Sequence, residues 1–320
     1  MLGRKPFIVQ GGNTMKRIAL LTLSIFLAMC LVVQAGEIER IKTKGHIVVS
    51  LNKGYPPFCM EVNNELTGLD VDLAKLLGDY LGVKVKFVLP ALYKDQIPKL
   101  MAGESDIIIA AMTRTPERGL LVNFTEPYFE VSQAALVARD RVGPEDDSYF
   151  DLVGIKGLRI GVKAGTTIES FARELFPAQA IRTYPGHPEA VAALLKGEVD
   201  ATVHDSPFVQ IWAKSHPELS NKIKPLLTPV TKEYYGFAIR KGDPDFLDWL
   251  NLFITEVQID GTVDLLKHRY FVEMPWLGLR PTKEVTLTKA QLMRNKFIAK
   301  KQELLERKRR EETLKAGAPY

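Results

Sequence analysis

The chain has 320 residues, 46% hydrophobic and 25% charged, a globular composition with room for one large domain or two modest ones. Its formal charge of +5 sits at the ends: the first 36 residues carry Arg4, Lys5, Lys16 and Arg17 and no acid, the tail from Pro281 carries 11 Lys/Arg against 5 Asp/Glu, and the middle is left at −5. A mildly acidic body excludes nucleic acid as the expected partner, because such binders carry their basic residues on the folded domain.

Met15-Lys16-Arg17, the apolar run Ile18 to Val33 and Val33-Gln34-Ala35 form the three parts of a secretory signal peptide. Translation is expected to begin at Met15, with residues 1–14 as upstream read-through, and cleavage to follow Ala35. The run is short against the about 20 apolar residues of a spanning helix. Leu27-Ala28-Met29-Cys30 departs from a lipoprotein box at the bulky Met29. The mature chain then keeps only Cys59, so no internal disulfide is expected, and no later segment is long and apolar enough to span a membrane.

The rest of the chain carries one pattern twice. The first copy reads strand Ile47–Leu51, helix from Asp70 to Gly82, strand Val83–Leu89, helix Asp95–Met101 and strand Asp106–Ala111. The second reads strand Leu158–Val162, helix Thr166–Phe176, strand Ala180–Tyr184, helix Pro188–Leu195 and strand Val199–Val203. Even the wording recurs, as Leu100-Met101-Ala102-Gly103-Glu104-Ser105-Asp106 and Leu194-Leu195-Lys196-Gly197-Glu198-Val199-Asp200. Alternating strands and helices predict α/β units with mostly parallel sheets and flanking helices. Two units make two lobes, and ligands of such sheets sit beyond the carboxyl ends of the strands. A polar connection spans Asp140 to Ser148. Past the second unit, the strand Tyr235–Arg240 and the helices Phe246–Val257 and Gly261–Tyr270 return to complete the first lobe. The expected organisation is leader 1–36, lobe one 37–131, lobe two 132–231, return 232–280 and a charged, helix-prone tail 281–320, with crossings near 130–138 and 227–234.

Several residues at strand ends could hold a ligand. Arg118 and Thr113 follow the strand that ends at Ala111, and an Arg fork pairs bidentately with a carboxylate. Gly165-Thr166-Thr167 turns from a strand into a helix N-terminus, a source of free N–H groups for an anion. Asp205 follows another strand and could take an ammonium. The three fit a zwitterion, with Tyr55 and Tyr93 packing on its carbon chain. Asp70-Val71-Asp72 reads as helix capping rather than a metal pair. The five histidines lack metal-ligand spacing, and neither a phosphate loop nor a nucleophile elbow is present. No cofactor is expected.

From about Gly45 to Phe271 the chain resembles the family 3 bacterial solute-binding proteins of polar amino-acid ABC transporters. Tyr55-Pro56-Pro57-Phe58, Gly68-Leu69-Asp70-Val71-Asp72-Leu73, Thr113 through Arg118, Phe124-Thr125-Glu126-Pro127-Tyr128, Gly161 through Thr167 and Asp260-Gly261-Thr262 carry the resemblance in order. It implies a two-lobed type II clamshell in the periplasm, a monomer that captures an amino acid for an inner-membrane ABC permease. It also implies carboxylate binding by Arg118, Thr113 and Thr167, amine binding by Asp205, and aromatic contacts from Tyr55 and Tyr93. His204-Asp205-Ser206-Pro207 with Lys163 looks most like the glutamine-binding branch. Asn52 stands where members that bind basic amino acids, and glutamine, usually carry Asp. The side-chain pocket is expected to hold Asn52, Tyr93, Lys163 and His204, with Ala111 and Thr166 also lining the cleft. A stand-alone amino-acid sensor is one alternative. A cyclohexadienyl-dehydratase-like enzyme is another, although Ser206-Pro207-Phe208 offers no acid after Asp205. The tail reads either as a solvated helix or as a dock for an anionic membrane surface or a partner.

Overall fold

The computed structural model describes residues 36–277 and, beyond them, Lys300, Glu303, Leu304, Arg307, Lys308, Arg310 and Glu311. The expected signal peptide and most of the charged tail lie outside the described residues. The strands in chain order are β1 (His46–Ser50), β2 (Met60–Val62), β3 (Glu65–Thr67), β4 (Lys84–Val88), β5 (Ile107–Ile108), β6 (Asn123–Phe124) and β7 (Phe129–Val131). They continue as β8 (Gln133–Ala138), β9 (Ile160–Lys163), β10 (Ile181–Tyr184), β11 (Ala201–Asp205), β12 (Ile223–Leu226), β13 (Glu233–Tyr235) and β14 (Ala238–Ile239).

Two five-stranded sheets result, ordered β4-β1-β5-β14-β6 and β10-β9-β11-β8-β12. In each, three strands are parallel, β4 with β1 and β5, and β10 with β9 and β11. The other two pairings in each sheet are antiparallel. The sheets are therefore less parallel than the strand–helix alternation predicts. The cause is the crossing: β8 and β14 enter their sheets straight from the connecting ribbon and run against their neighbours. That ribbon is β7 paired antiparallel with β13. It is narrower than the expected crossing, because residues 133–138 already form a strand of the second sheet.

The repeated heptapeptides do the same work in both lobes. Asp106 accepts the Val48 N–H at 2.8 Å and pairs with Arg40. Asp200 accepts the Arg159 N–H at 2.8 Å and pairs with the Arg159 guanidinium at 2.7 Å. In each lobe a carboxylate thus ties the start of the third parallel strand to the first. The Arg40 and Arg159 partners hold both carboxyls below the usual range. This fixes the strand stagger, and with it the carboxyl ends that face the cleft.

At the ribbon the lobes share an aromatic cluster. Phe58 stacks on Tyr55 with centroids 5.3 Å apart and meets Phe129, Tyr235 and Phe271 edge-on. Aromatic pairs of these geometries stabilise beyond their area burial. Because Phe129 and Tyr235 lie on the ribbon strands, the cluster positions Tyr55, the next aromatic residue into the cleft.

Candidate functional site

The carboxyl ends of both sheets converge on one cavity. Its wall holds Asn52, Tyr55, Tyr93, Ala111, Thr113 and Arg118 from the first lobe, and Lys163, Thr166, Thr167, Ile168, His187 and Asp205 from the second. Of the eleven residues singled out in the sequence, ten stand on this wall. His204 does not: it is completely buried, one layer back, with its Nδ1 2.6 Å from His187 Nδ1. The reason is strand alternation. His204 and Asp205 are neighbours on β11, so their side chains leave opposite faces of the sheet. His187 fills the wall position and stacks on Tyr55 at 4.7 Å. Burial pushes His187 well below the usual histidine value and His204 down to about 3, so the pair is neutral at physiological pH.

At one end of the cavity, Arg118 donates to the Thr113 carbonyl at 2.8 Å and lies over the Tyr93 ring at 5.8 Å. Its guanidinium has further N–H groups for a carboxylate. Thr115 caps the short helix Pro116–Gly119 by accepting the Arg118 N–H, which orients the residue. Thr167 opens the helix Thr167–Leu175 and places its hydroxyl 3.5 Å from that of Thr113 across the cleft. Thr166 is the cap of that helix: its hydroxyl accepts from Glu169 N–H and donates to the Lys163 carbonyl. Its role on the wall is therefore to set the turn.

Asp205 lies at another part of the wall, 8% exposed. Its Oδ2 accepts from Tyr55 at 2.7 Å and also from Tyr235. Its Oδ1 is buried with no protein partner, an arrangement that favours an added donor. Burial raises Asp205 to about 6, against the two tyrosine hydroxyls, which lower it. The third feature is Lys163, whose Nζ donates to Asn52 Oδ1 at 2.8 Å and lies 4.8 Å above the Tyr93 ring. Burial lowers Lys163 to about 8, while the Asp205 and Glu189 carboxylates raise it.

Both shifts disfavour the charged forms, so at neutral pH each group costs folding stability that a ligand can offset. The carboxyl of Asp205 is raised, so its contribution is fully present below about pH 3.8 and is lost as pH rises through about 6. A ligand ammonium needs the ionised form. Affinity is expected to fall below pH 6, by up to about tenfold per pH unit. Titration calorimetry at pH 7, 6 and 5 reads this; a flat profile would remove Asp205 from the amine contact.

Gly165, on the second lobe, packs closely against Lys94 of the first. It has φ +76°, and a Cβ there would stand 2.7 Å from Lys94 Cβ and 3.2 Å from Lys94 Cα. Gly165→Ala is expected to hold the lobes apart. Small-angle scattering should show a larger radius of gyration at saturating ligand, and affinity should fall at least tenfold. Wild-type dimensions and affinity would contradict that contact.

Taken singly, His187, Tyr235 and Ile168 carry no sign of a site role in the sequence. The internal repeat contains one for His187: it opens the helix His187–Leu195 as Tyr93 precedes the helix Gln96–Met101, and both face the cavity.

The model of the bacterial extracellular solute-binding proteins, family 3, matches residues 47–273. The ABC transporter arginine-binding protein 1 of Escherichia coli (strain K12) is 30% identical over 222 residues, which cover 68% of this chain and 87% of that protein. Among solved structures, the putative binding component of an ABC transporter from Wolinella succinogenes DSM 1740, complexed with lysine, superposes with TM-score 0.68 and 38% identity over 74% of this chain and all of that one. An ancestral amino-acid-binding protein described as a precursor of cyclohexadienyl dehydratase superposes with TM-score 0.66 and 37% identity, over 74% of this chain and all of that one.

Proposed function

The chain belongs to the bacterial extracellular solute-binding proteins of family 3, and from that membership we propose that it captures one polar α-amino acid in the periplasm and delivers it to an ABC-type uptake transporter. The observation that carries this reading is that Arg118, on the first lobe, and Asp205, on the second, face one cavity. A guanidinium and a carboxylate so placed complement the carboxylate and ammonium of a zwitterion. Thr113 and Thr167 add hydroxyls on the Arg118 side. A ligand held from both lobes binds the closed arrangement preferentially and shifts the population toward it.

The side chain of the ligand lies toward Asn52, Tyr93, His187 and Lys163. Asn52 is neutral and can both donate and accept, while Lys163 is a buried cation. A second cation beside Lys163 would be repelled in a partly desolvated site. Lysine and arginine are therefore expected to bind weakly, although relatives take them. Glutamine suits Asn52, and glutamate suits Lys163. A thermal-shift panel of the common amino acids checks this. Glutamine or glutamate should raise Tm by several degrees, because a ligand that binds only folded protein stabilises it. Strong stabilisation by arginine with none by either would overturn the pocket assignment. Lys163→Ala separates the two ligands, since only glutamate loses an ion pair.

Binding rather than catalysis is favoured by the cavity wall. Its one carboxylate, Asp205, is held at Oδ2 by two tyrosine hydroxyls with only Oδ1 left for a ligand, and Ser206-Pro207-Phe208 brings no further acid.

A further inference from the structure

Ala111 is a wall residue with φ +47°, in the left-handed region that costs an alanine free energy. Among the described residues the other non-glycine positions with positive φ are Asn63, Asn64 and Met274, and none of these lines the cavity. The strand that the sequence predicts through Ala111 stops at Ile108, so the chain leaves the sheet just before the wall. Something must hold Ala111 in this conformation. Its N–H donates inward to Tyr128 Oη at 3.2 Å, and the Tyr128 hydroxyl donates to Asp70 Oδ1 at 2.8 Å. Tyr128 is 2% exposed and Asp70 is fully buried. Asp70 is itself anchored: its own N–H donates to the Phe58 carbonyl at 3.0 Å, beside Tyr55. On its other side, the Ala111 carbonyl faces the Tyr93 hydroxyl at 3.5 Å, and Tyr93 is a wall residue. The residue is thus held with its N–H turned into the lobe and its carbonyl on the side of the Tyr93 hydroxyl.

We propose that Asp70 and Tyr128 are positioning residues for the ligand site: through the Asp70–Tyr128–Ala111 chain they clamp Ala111 in its left-handed conformation and present its carbonyl to the ligand. Burial raises the Asp70 carboxyl to about 7 while the Tyr128 hydroxyl and the Ala111 N–H oppose that shift, as expected of groups that act on one another. The sequence reads Asp70 as a helix cap, but the helix already begins at Leu69 after Gly68 with no side-chain cap, and the Asp70 carboxylate is turned instead to the Tyr128 hydroxyl. Without the clamp, Ala111 relaxes toward negative φ and its carbonyl turns from the cavity. Neither Asp70 nor Tyr128 lines the cavity, so their effect on binding passes through Ala111.

Tyr128→Phe removes the hydroxyl and keeps the ring packed on Phe237, 5.0 Å away. Only the affinity readout depends on the amino-acid reading of the cleft. Hydrogen exchange of the Ala111 amide is measured without ligand, so failure of the clamp and failure of the ligand assignment are distinguishable. In Tyr128→Phe, that amide should exchange at least tenfold faster than in the wild type. Titrated with L-glutamine, and in parallel with L-arginine, the variant should bind whichever the wild type binds about tenfold more weakly, the scale of one lost hydrogen bond. The decisive measurement is Tyr128→Phe combined with Ala111→Gly. Glycine adopts positive φ freely, so the double variant should recover most of the affinity lost in Tyr128→Phe while its melting temperature stays lowered. A purely structural hydroxyl would lower Tm equally with and without glycine and give no recovery. Unchanged exchange at Ala111, or affinity that glycine does not restore, would overturn the clamp.

Discussion

Asp205→Ala is expected to weaken amino-acid binding by about 2–5 kcal/mol, the range for removing one partner of a buried charge pair, or roughly 30-fold to several thousand-fold in Kd. The upper half of the range applies to Asp205. It is 8% exposed, its Oδ1 has no protein partner, and the ammonium would be left without a counter-charge in a desolvated place. The Tyr55 and Tyr235 hydroxyls, both donating to Oδ2, would also lose their acceptor. Asp205→Asn keeps the shape but not the charge and should lose nearly as much, which separates electrostatics from packing. Arg118→Ala should fall in the lower half. Arg118 is half-buried and open to solvent screening, and the Thr113 and Thr167 hydroxyls remain near the carboxylate. Titration calorimetry ranks the three variants. Near-wild-type affinity in Asp205→Ala or Arg118→Ala would end the zwitterion model.

The lobes were legible because the sequence repeats. Leu100 to Asp106 and Leu194 to Asp200 announce two copies of one unit, and the structure shows both aspartates bonded to the N–H of a neighbouring strand. The cavity wall was largely legible for a related reason: residues at strand ends such as Asn52, Lys163 and Asp205 face the cleft once the strands are parallel. What stayed hidden depends on chain direction and backbone torsion. His204 and Asp205 are adjacent in sequence, and only the twist and exit of β11 decide which one faces the ligand. The antiparallel pairings of β8 and β14 depend on the ribbon, which periodicity does not encode. The turn at Ala111 replaces the last part of an expected strand, because an apolar stretch such as Ile107 to Ala111 carries no sign of where its torsions change. Tyr128 and Asp70 were visible as parts of family motifs, but their joint action on Ala111 exists only in three dimensions.

Gly68→Ala is expected to lower folding stability by more than about 3 kcal/mol, beyond ordinary single substitutions. Two costs add there. The backbone has φ +135°, a region that is strained for any residue with a Cβ. A Cβ would also stand 2.2 Å from the Phe58 carbonyl oxygen, 2.5 Å from its carbon and 2.9 Å from Cys59 N. These are main-chain atoms, so no rotamer change relieves them. The approach is close because Gly68 precedes the helix Leu69–Leu81, and the first N–H groups of that helix lack partners within it. Leu69 N–H donates to the Pro57 carbonyl and Asp70 N–H to the Phe58 carbonyl, each at 3.0 Å. Pushing residues 57–59 outward would break both bonds, shift Phe58 in the aromatic cluster and carry Tyr55 away from Asp205. The loss should therefore appear twice, as a lower urea midpoint and as weaker binding in whatever fraction remains folded. Gly82→Ala is the control. Gly82 has φ +69° and nothing within 4 Å of an added Cβ, so it bears the backbone cost alone, about 1–2 kcal/mol. If the two variants unfold at the same urea concentration, the contact between Gly68 and Phe58 does not hold the helix to the ligand-facing loop.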